Sequence, residues 1–193
     1  MNVVIIKYNA GNIRSVLFAL ERIGVTGIVT DNVEIINGAD KIIFPGVGEA
    51  SSAMKHLKEN KMDELVSSLK QPVLGICLGM QLMCKHSEEG NVDCLGIFDQ
   101  PVKLFKGEEK VPQVGWNNIM GLKGKLFDRI KEDEYMYFVH SYYVSLGINT
   151  IACANYTHVY SAALQKNNFY AVQFHPERSG IAGQRILENF LAL

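Results

Sequence analysis

The run Pro72-Val73-Leu74-Gly75-Ile76-Cys77-Leu78-Gly79-Met80-Gln81 constrains this chain more than any other stretch. Pro72 to Ile76 is a short apolar run of the kind that forms a buried strand, and Leu78 to His86 reads as a helix. Between them lies Gly75-Ile76-Cys77-Leu78-Gly79, a G-x-C-x-G turn that is a nucleophile elbow with Cys in place of Ser. A side chain on such a strand-to-helix turn is held in strained backbone and pushed into a cleft. The flanking glycines supply room, because side chains there would collide with strand, helix or substrate. The helix start aims free N–H groups at the sulfur, which favours the reactive thiolate. The Leu78 N–H is placed to bind an oxyanion. A lone Cys is more often a buried structural residue. Two glycines at this spacing reverse that preference for Cys77.

The rest of the first half alternates strand and helix. Strands are expected at Val3–Ile6, Gly27–Thr30 and Lys41–Phe44. Helices are expected at Ile13 to about Ile23, capped by Asn12 and stopped by Gly24, and near Glu49–Lys58 and Met62–Leu69. This alternation predicts a parallel sheet covered on both faces, with ligands outside the carboxyl ends of its strands. The turn Pro45-Gly46-Val47-Gly48 can bring backbone N–H groups to a ligand, but lacks the Lys and Ser/Thr of a phosphate loop, so nucleotide is rejected. From Leu95 onward short strands dominate: Gly96–Phe98, Val102–Phe105, Tyr135–Val139, Thr150–Tyr156, Ser161–Gln165 and Phe169–Gln173. A helix over Ile181–Leu191 follows. The fold class is therefore α/β, a mostly parallel sheet with an antiparallel extension. Gly107-Glu108-Glu109-Lys110 reads as a solvated turn.

The 193 residues suit one domain spanning the whole chain, 1–193. A net charge of -1 gives no electrostatic case for nucleic acid or an anionic membrane. No stretch is long and apolar enough to span a bilayer, and no secretion signal opens the chain. The four cysteines, Cys77, Cys84, Cys94 and Cys153, lack metal-ligand spacing. These features place the chain in a reducing cytosol.

Val172-Gln173-Phe174-His175-Pro176-Glu177 is a second chemical stretch. A Cys nucleophile needs a nearby base, usually His, and the base needs an orienting carboxylate. Glu177 lies two residues past His175, so in extended backbone the two side chains share a side. Pro176 blocks helix between them. Cys77, His175 and Glu177 are the candidate triad, with His140 a rival base. His56, His86 and His158 read as structural or solvated.

These two stretches resemble the class I, or triad, glutamine amidotransferases. Four more segments resemble the glutaminase subunits of imidazole glycerol phosphate synthases. They are Lys7-Tyr8-Asn9-Ala10-Gly11-Asn12-Ile13-Arg14-Ser15, Pro45–Gly48, Val111-Pro112-Gln113-Val114-Gly115-Trp116-Asn117 (a loop beside the active site) and Phe138-Val139-His140-Ser141-Tyr142-Tyr143. Lys7 departs from the commoner family form, which has Asp before the Tyr. The resemblance implies a flavodoxin-like, doubly wound fold and hydrolysis of L-glutamine through a Cys77 thioester, with no metal or organic cofactor. It implies oxyanion contacts from Leu78 and from Val47 or Gly48, and glutamine contacts from Gly46, Gln81, Ser141 and Tyr142. It also implies a (β/α)8-barrel cyclase partner that takes the ammonia and forms imidazole glycerol phosphate and an aminoimidazole carboxamide ribotide in histidine biosynthesis. The partner's ligand would switch the glutaminase on, with a peptide flip in the Pro45–Gly48 turn as the device. The glutaminase of another synthase such as anthranilate synthase, a non-catalytic regulatory subunit, and a Cys hydrolase acting alone are the alternatives.

Overall fold

The computed structural model describes residues 1–8, 12–107 and 109–193. In chain order the first half runs β1 (Val3–Ile6), α1 (Ile13–Arg22), β2 (Gly27–Thr30), α2 (Val33–Asn37), β3 (Lys41–Gly46), α3 (Ala50–Glu59), α4 (Met62–Ser68), β4 (Val73–Cys77) and α5 (Leu78–Leu82). The second half runs β5 (His86–Ser87), β6 (Val92–Asp93), β7 (Pro101–Leu104), β8 (Gln113–Ile119), β9 (Glu134–His140), β10 (Tyr142–Val144), β11 (Thr150–Asn155), β12 (Val159–Lys166), β13 (Phe169–Val172) and α6 (Gly180–Leu191).

The main sheet has the order β2-β1-β3-β4-β13-β12-β10-β7-β5-β6, with β11 paired to β12. The pairs from β2 to β13 are parallel. From β13 through β12 and β10 to β7 they are antiparallel, so the antiparallel extension joins a parallel sheet as the alternation implied. Strand β1 shows why the parallel part is buried on both faces. Val4 and Ile6 join a core built with α2, α3, α4 and α5, while Val3 and Ile5 join one built with α1 and α6. Successive side chains of a strand leave on opposite faces, so four apolar residues feed two cores. Full burial of each contributes about 1.5–3 kcal/mol.

Helix α1 buries Val16, Ala19 and Leu20 against the second core, with Ile13, Leu17 and Ile23 packed at its margin. Gly24, at φ 76, turns the chain out of the helix. The Asn12 side chain does not cap this helix. Its Oδ1 instead accepts from Ser15 Oγ at 2.8 Å. Asn9, Ala10 and Gly11 of the N-terminal segment, and Glu108, lie outside the described residues; Gly107, Glu109 and Lys110 are exposed.

Further expectations are corrected. Helix α5 ends at Leu82 and not at His86. The carbonyls at its end are taken by the returning chain: Leu95 N–H bonds Leu82 O, Phe98 N–H bonds Met83 O and Gly96 N–H bonds Cys84 O. Those bonds replace further helical turns, leave Cys84 outside the helix, and make Gly96–Phe98 an irregular brace and not a strand. The stretch around Trp116 is strand β8, fully paired with β9, and not a loop. Helix α2 was not anticipated, although Asn32 caps it through Ile35 N–H at 3.0 Å and Gly38 follows it.

Candidate active site

Three adjacent parallel strands deliver their ends to one place. Gly46 of β3 pairs with Cys77 of β4, and Val172 of β13 pairs with Ile76 of β4. The Val47–Gly48 turn, the elbow cysteine and the Gln173–His175 segment therefore emerge side by side at the carboxyl edge.

Cys77 has φ 55 and ψ -110. A non-glycine residue there stores on the order of 1–3 kcal/mol, and the packing around the elbow holds it. A Cβ on Gly79 would overlap the carbonyl oxygen of Phe44 in β3. One on Gly75 would lie 2.9 Å from Met83 Sδ and 3.1 Å from the Gly79 backbone. The two glycines let the start of α5 lie directly on the strands, which forces the turn at Cys77.

His175 follows β13, and its N–H bonds Tyr137 O at 2.9 Å. Its Nδ1 lies 2.8 Å from Glu177 Oε1, and both side chains are buried. Residues Pro176–Arg178 form a short 3-10 turn with Pro at its start, where a missing N–H costs little. The His–Glu pairing thus uses a tight turn and not a continuous extended chain. Burial lowers the His175 pKa, but the nearby Cys77 sulfur and the bonded Glu177 carboxylate outweigh it and hold the imidazole well above its ordinary value. The carboxylate accepts from Nδ1–H, leaving Nε2 for the sulfur. The structure brings Cys77, His175 and Glu177 together.

A cleft of about 550 Å³ opens over the sulfur, within the range of small-molecule sites. Val47, Gly48, Leu78, Gln81, Ser141 and Tyr142 line it with Cys77 and His175. Val47 is exposed, and Gly48 has φ 114 with open space around it. Gly46 does not line this cleft. A Cβ there would fall 2.6 Å from Tyr8 Oη and 2.8 Å from Gly79 N, so Gly46 serves close packing of β3 on the elbow. The Tyr8 hydroxyl, buried and raised in pKa by burial and by Cys77, donates to Pro45 O at 2.6 Å. That bond pins the Pro45 carbonyl, and any freedom of this turn lies at Val47 and Gly48.

His140 also lines the cleft. Its Nδ1 donates to Tyr142 O at 2.7 Å, and Nε2 lies 3.3 Å from the Tyr160 hydroxyl. Burial pushes its pKa down to about 4, so at neutral pH it is an uncharged wall residue whose Nε2 shares the Tyr160 hydroxyl with Gln113 Oε1. His56, His86 and His158 line no part of the cleft; they contact Asn60, Asp93 and Thr157.

The sequence reading missed Glu89, Asn12 and Arg178, which also line the cleft. Glu89 Oε2 accepts from Ala50 N–H at the start of α3 at 2.8 Å, and burial raises the carboxyl pKa. Nothing in the local Glu88-Glu89-Gly90 sequence separates it from a surface turn. Asn12 Nδ2 and Glu177 Oε2 are both buried without a partner among the described residues, and both residues line one small space behind the triad. Among the described residues no group of three or more His, Cys, Asp or Glu side chains is set to hold a metal ion.

Comparison with known proteins places the chain in a family. The family model described as glutamine amidotransferase class-I matches residues 4–193. The imidazole glycerol phosphate synthase subunit HisH of Bacteroides fragilis is 62% identical over 100% of both chains. The protein of the same description from Pectobacterium atrosepticum is 47% identical, again over 100% of both. Among solved structures, a glutamine amidotransferase superposes with a TM-score of 0.77 at 19% identity, over 99% of this chain and 98% of that one. PurLQS from Thermotoga maritima gives 0.73 at 15% identity, over 99% and 97%. The chain belongs to the class-I glutamine amidotransferase family.

Proposed function

We propose that Cys77, His175 and Glu177 are the catalytic set with which this amidotransferase, a single domain over residues 1–193, hydrolyses L-glutamine to glutamate and ammonia. The observation that carries the reading is a strained elbow cysteine that shares one cleft with a buried histidine, itself bonded to a buried carboxylate. The Cys77 thiolate adds to the side-chain amide carbon. The charge passes to the amide oxygen, held by the Leu78 N–H and an N–H from Val47 or Gly48. His175 gives its Nε2 proton to the departing nitrogen, and ammonia leaves a γ-glutamyl thioester. Water then attacks, giving its proton to His175, and thiolate departs as glutamate forms. Glu177 stabilises the imidazolium in each half. Gln81, Ser141 and Tyr142 face the substrate, and Glu89 supplies the negative charge that an α-ammonium requires.

The relatives' shared description as a synthase subunit supports a partner that consumes the ammonia. In this reading the partner is a (β/α)8-barrel cyclase that makes imidazole glycerol phosphate in histidine biosynthesis. Its docking face is the outer side of the β8–β9 ribbon. Val114, Trp116 and Tyr135 are 59%, 56% and 58% exposed there. Register places Val114 opposite Val139 and Trp116 opposite Tyr137, so all share one face, and Val139 also lines the cleft. A partner seated there closes the mouth and receives ammonia without release to water, where it would be protonated. The pair works in a reducing cytoplasm, which keeps the four thiols free.

Acid-quenched turnover of glutamine followed by intact-mass and peptide mass spectrometry tests the chemistry. A γ-glutamyl adduct confined to Cys77 is the expected result; an adduct elsewhere, or none while glutamate accumulates, rejects it. Pull-down with the immobilised chain tests the partner: a barrel cyclase is expected, and a chorismate-using enzyme would reassign the subunit.

A further inference from the structure

We propose that Gln173 is a catalytic residue: it donates its side-chain N–H to the Cys77 sulfur, aimed there by a polar relay that starts at the backbone carbonyl of Tyr142. The proposal rests on the reading of Cys77 as nucleophile and deepens it.

Gln173 is fully buried, and a buried amide is costly unless its polar atoms are bonded. Here both ends are. Gln173 Oε1 accepts from Gln81 Nε2 at 2.9 Å, and Gln173 Nε2 lies 3.8 Å from Cys77 Sγ. Gln81 Nε2 also donates to Tyr142 O at 2.9 Å.

The direction of this chain is decided at one end. An isolated glutamine amide can exchange its O and N positions at little cost. A backbone carbonyl only accepts, so Tyr142 O forces Gln81 to present its NH2 group. The same NH2 meets Gln173, which must answer with its oxygen. The Gln173 NH2 is then left facing the sulfur. Tyr142 is an anchored starting point. It sits in β10, paired with Leu104 of β7, and its carbonyl also takes the Nδ1–H of His140.

The contact matters because of what else faces the sulfur. Val139 O lies 3.7 Å from Cys77 Sγ. A carbonyl there accepts from a thiol S–H but repels a thiolate. The Gln173 N–H does the reverse, because a donor gains strength when its acceptor is charged. With His175 lining the same cleft, the N–H offsets that repulsion and stabilises negative charge on the sulfur. It acts a second time when the thioester breaks and thiolate must depart.

The test is peptide-resolved iodoacetamide alkylation of Cys77 in the full chain, from about pH 5 to about pH 10, a range that spans thiolate formation. Gln173→Met keeps length and burial but removes the donor, and Gln173→Glu puts an acceptor against the sulfur. Both should move the half-maximal pH upward, by about one unit for Gln173→Met and further for Gln173→Glu, with alkylation near neutral pH falling roughly tenfold. The plateau at high pH should stay within about twofold of wild type, since access to the sulfur is unchanged. Gln81→Met leaves Gln173 in place without its guide and should give a smaller shift in the same direction. A purely structural role for Gln173 would alter the plateau or the melting temperature and leave the half-maximal pH at the wild-type value in all three variants, which overturns the proposal. Iodoacetamide reads the sulfur whether or not glutamine is the substrate, so this failure is distinct from absence of a γ-glutamyl adduct.

Discussion

The two walls of the cleft each carry a buried histidine, and the two behave oppositely. On the parallel-strand wall, His175 stands between the Cys77 sulfur and the Glu177 carboxylate, and its pKa is raised in spite of burial. On the antiparallel wall, His140 is as buried but bonds only a neutral carbonyl and a neutral hydroxyl and feels the positive charge of His175, and its pKa falls to about 4. Burial penalises the imidazolium in both, so the difference lies in the charge of the partners. A second contrast follows the topology. The parallel strands place reactive groups at their ends, because β3, β4 and β13 stop in register. The antiparallel strands supply shape, a fixed carbonyl at Tyr142 and an apolar outer face.

The sharpest break in this comparison is removal of the nucleophile. Cys77→Ala should lower steady-state glutamate release by about 10⁴-fold or more, with no loss of folding by circular dichroism. Next, His175→Gln should cost roughly 10²–10⁴-fold in kcat as general acid–base transfer is lost. The matching His140→Gln on the other wall should cost less than about tenfold, while lowering stability by about 1 kcal/mol because Tyr142 O or Tyr160 loses one of two partners. Comparable kcat losses at the two histidines would erase the distinction.

The pH dependence of stability should separate the walls with opposite signs. The folded pKa of His140 lies below its unfolded value of about 6.5, so its contribution is present above that value and is lost as pH falls toward about 4. The folded pKa of His175 lies above the unfolded value, so its contribution is complete below about pH 6.5 and is lost as pH rises through the folded pKa. Melting temperature followed against pH should therefore lose its acid limb in His140→Gln and part of its alkaline limb in His175→Gln. The smallest effect on the isolated chain is expected from Trp116→Ala. Its melting temperature should change by no more than a degree or two, because a surface substitution is usually worth within about 0.5 kcal/mol, while affinity for the partner in titration calorimetry should drop about tenfold or more.

Much of this arrangement was legible because it depends on local chemistry. Gly75, Cys77 and Gly79 announce the elbow through a steric rule, and the structure meets that rule with the Phe44 carbonyl pressed against Gly79. His175-Pro176-Glu177 is a contiguous set whose pairing needs only a turn. What escaped depends on distant partners. Helix α5 is short because Leu95 and Phe98 return to its end, a contact with no local signature. Strand β8 carries Gly115, Asn117 and Asn118, which read as loop until β9 pairs with them. Glu89 reaches the cleft because it caps α3 across the fold, and Gln173 has a role only once Gln81 and Tyr142 stand beside it. Helix α2 is different: Asn32 and Gly38 were visible caps around five residues, too few for a periodic stripe.

The most direct measurement is glutamate release from L-glutamine by wild type and Cys77→Ala, each alone, with the proposed barrel cyclase, and with that cyclase plus the ligand it joins to ammonia. Slow release by wild type alone, a steep rise in the full mixture, and silence from Cys77→Ala throughout are expected. Glutamate release that persists in Cys77→Ala would contradict the elbow mechanism at its root.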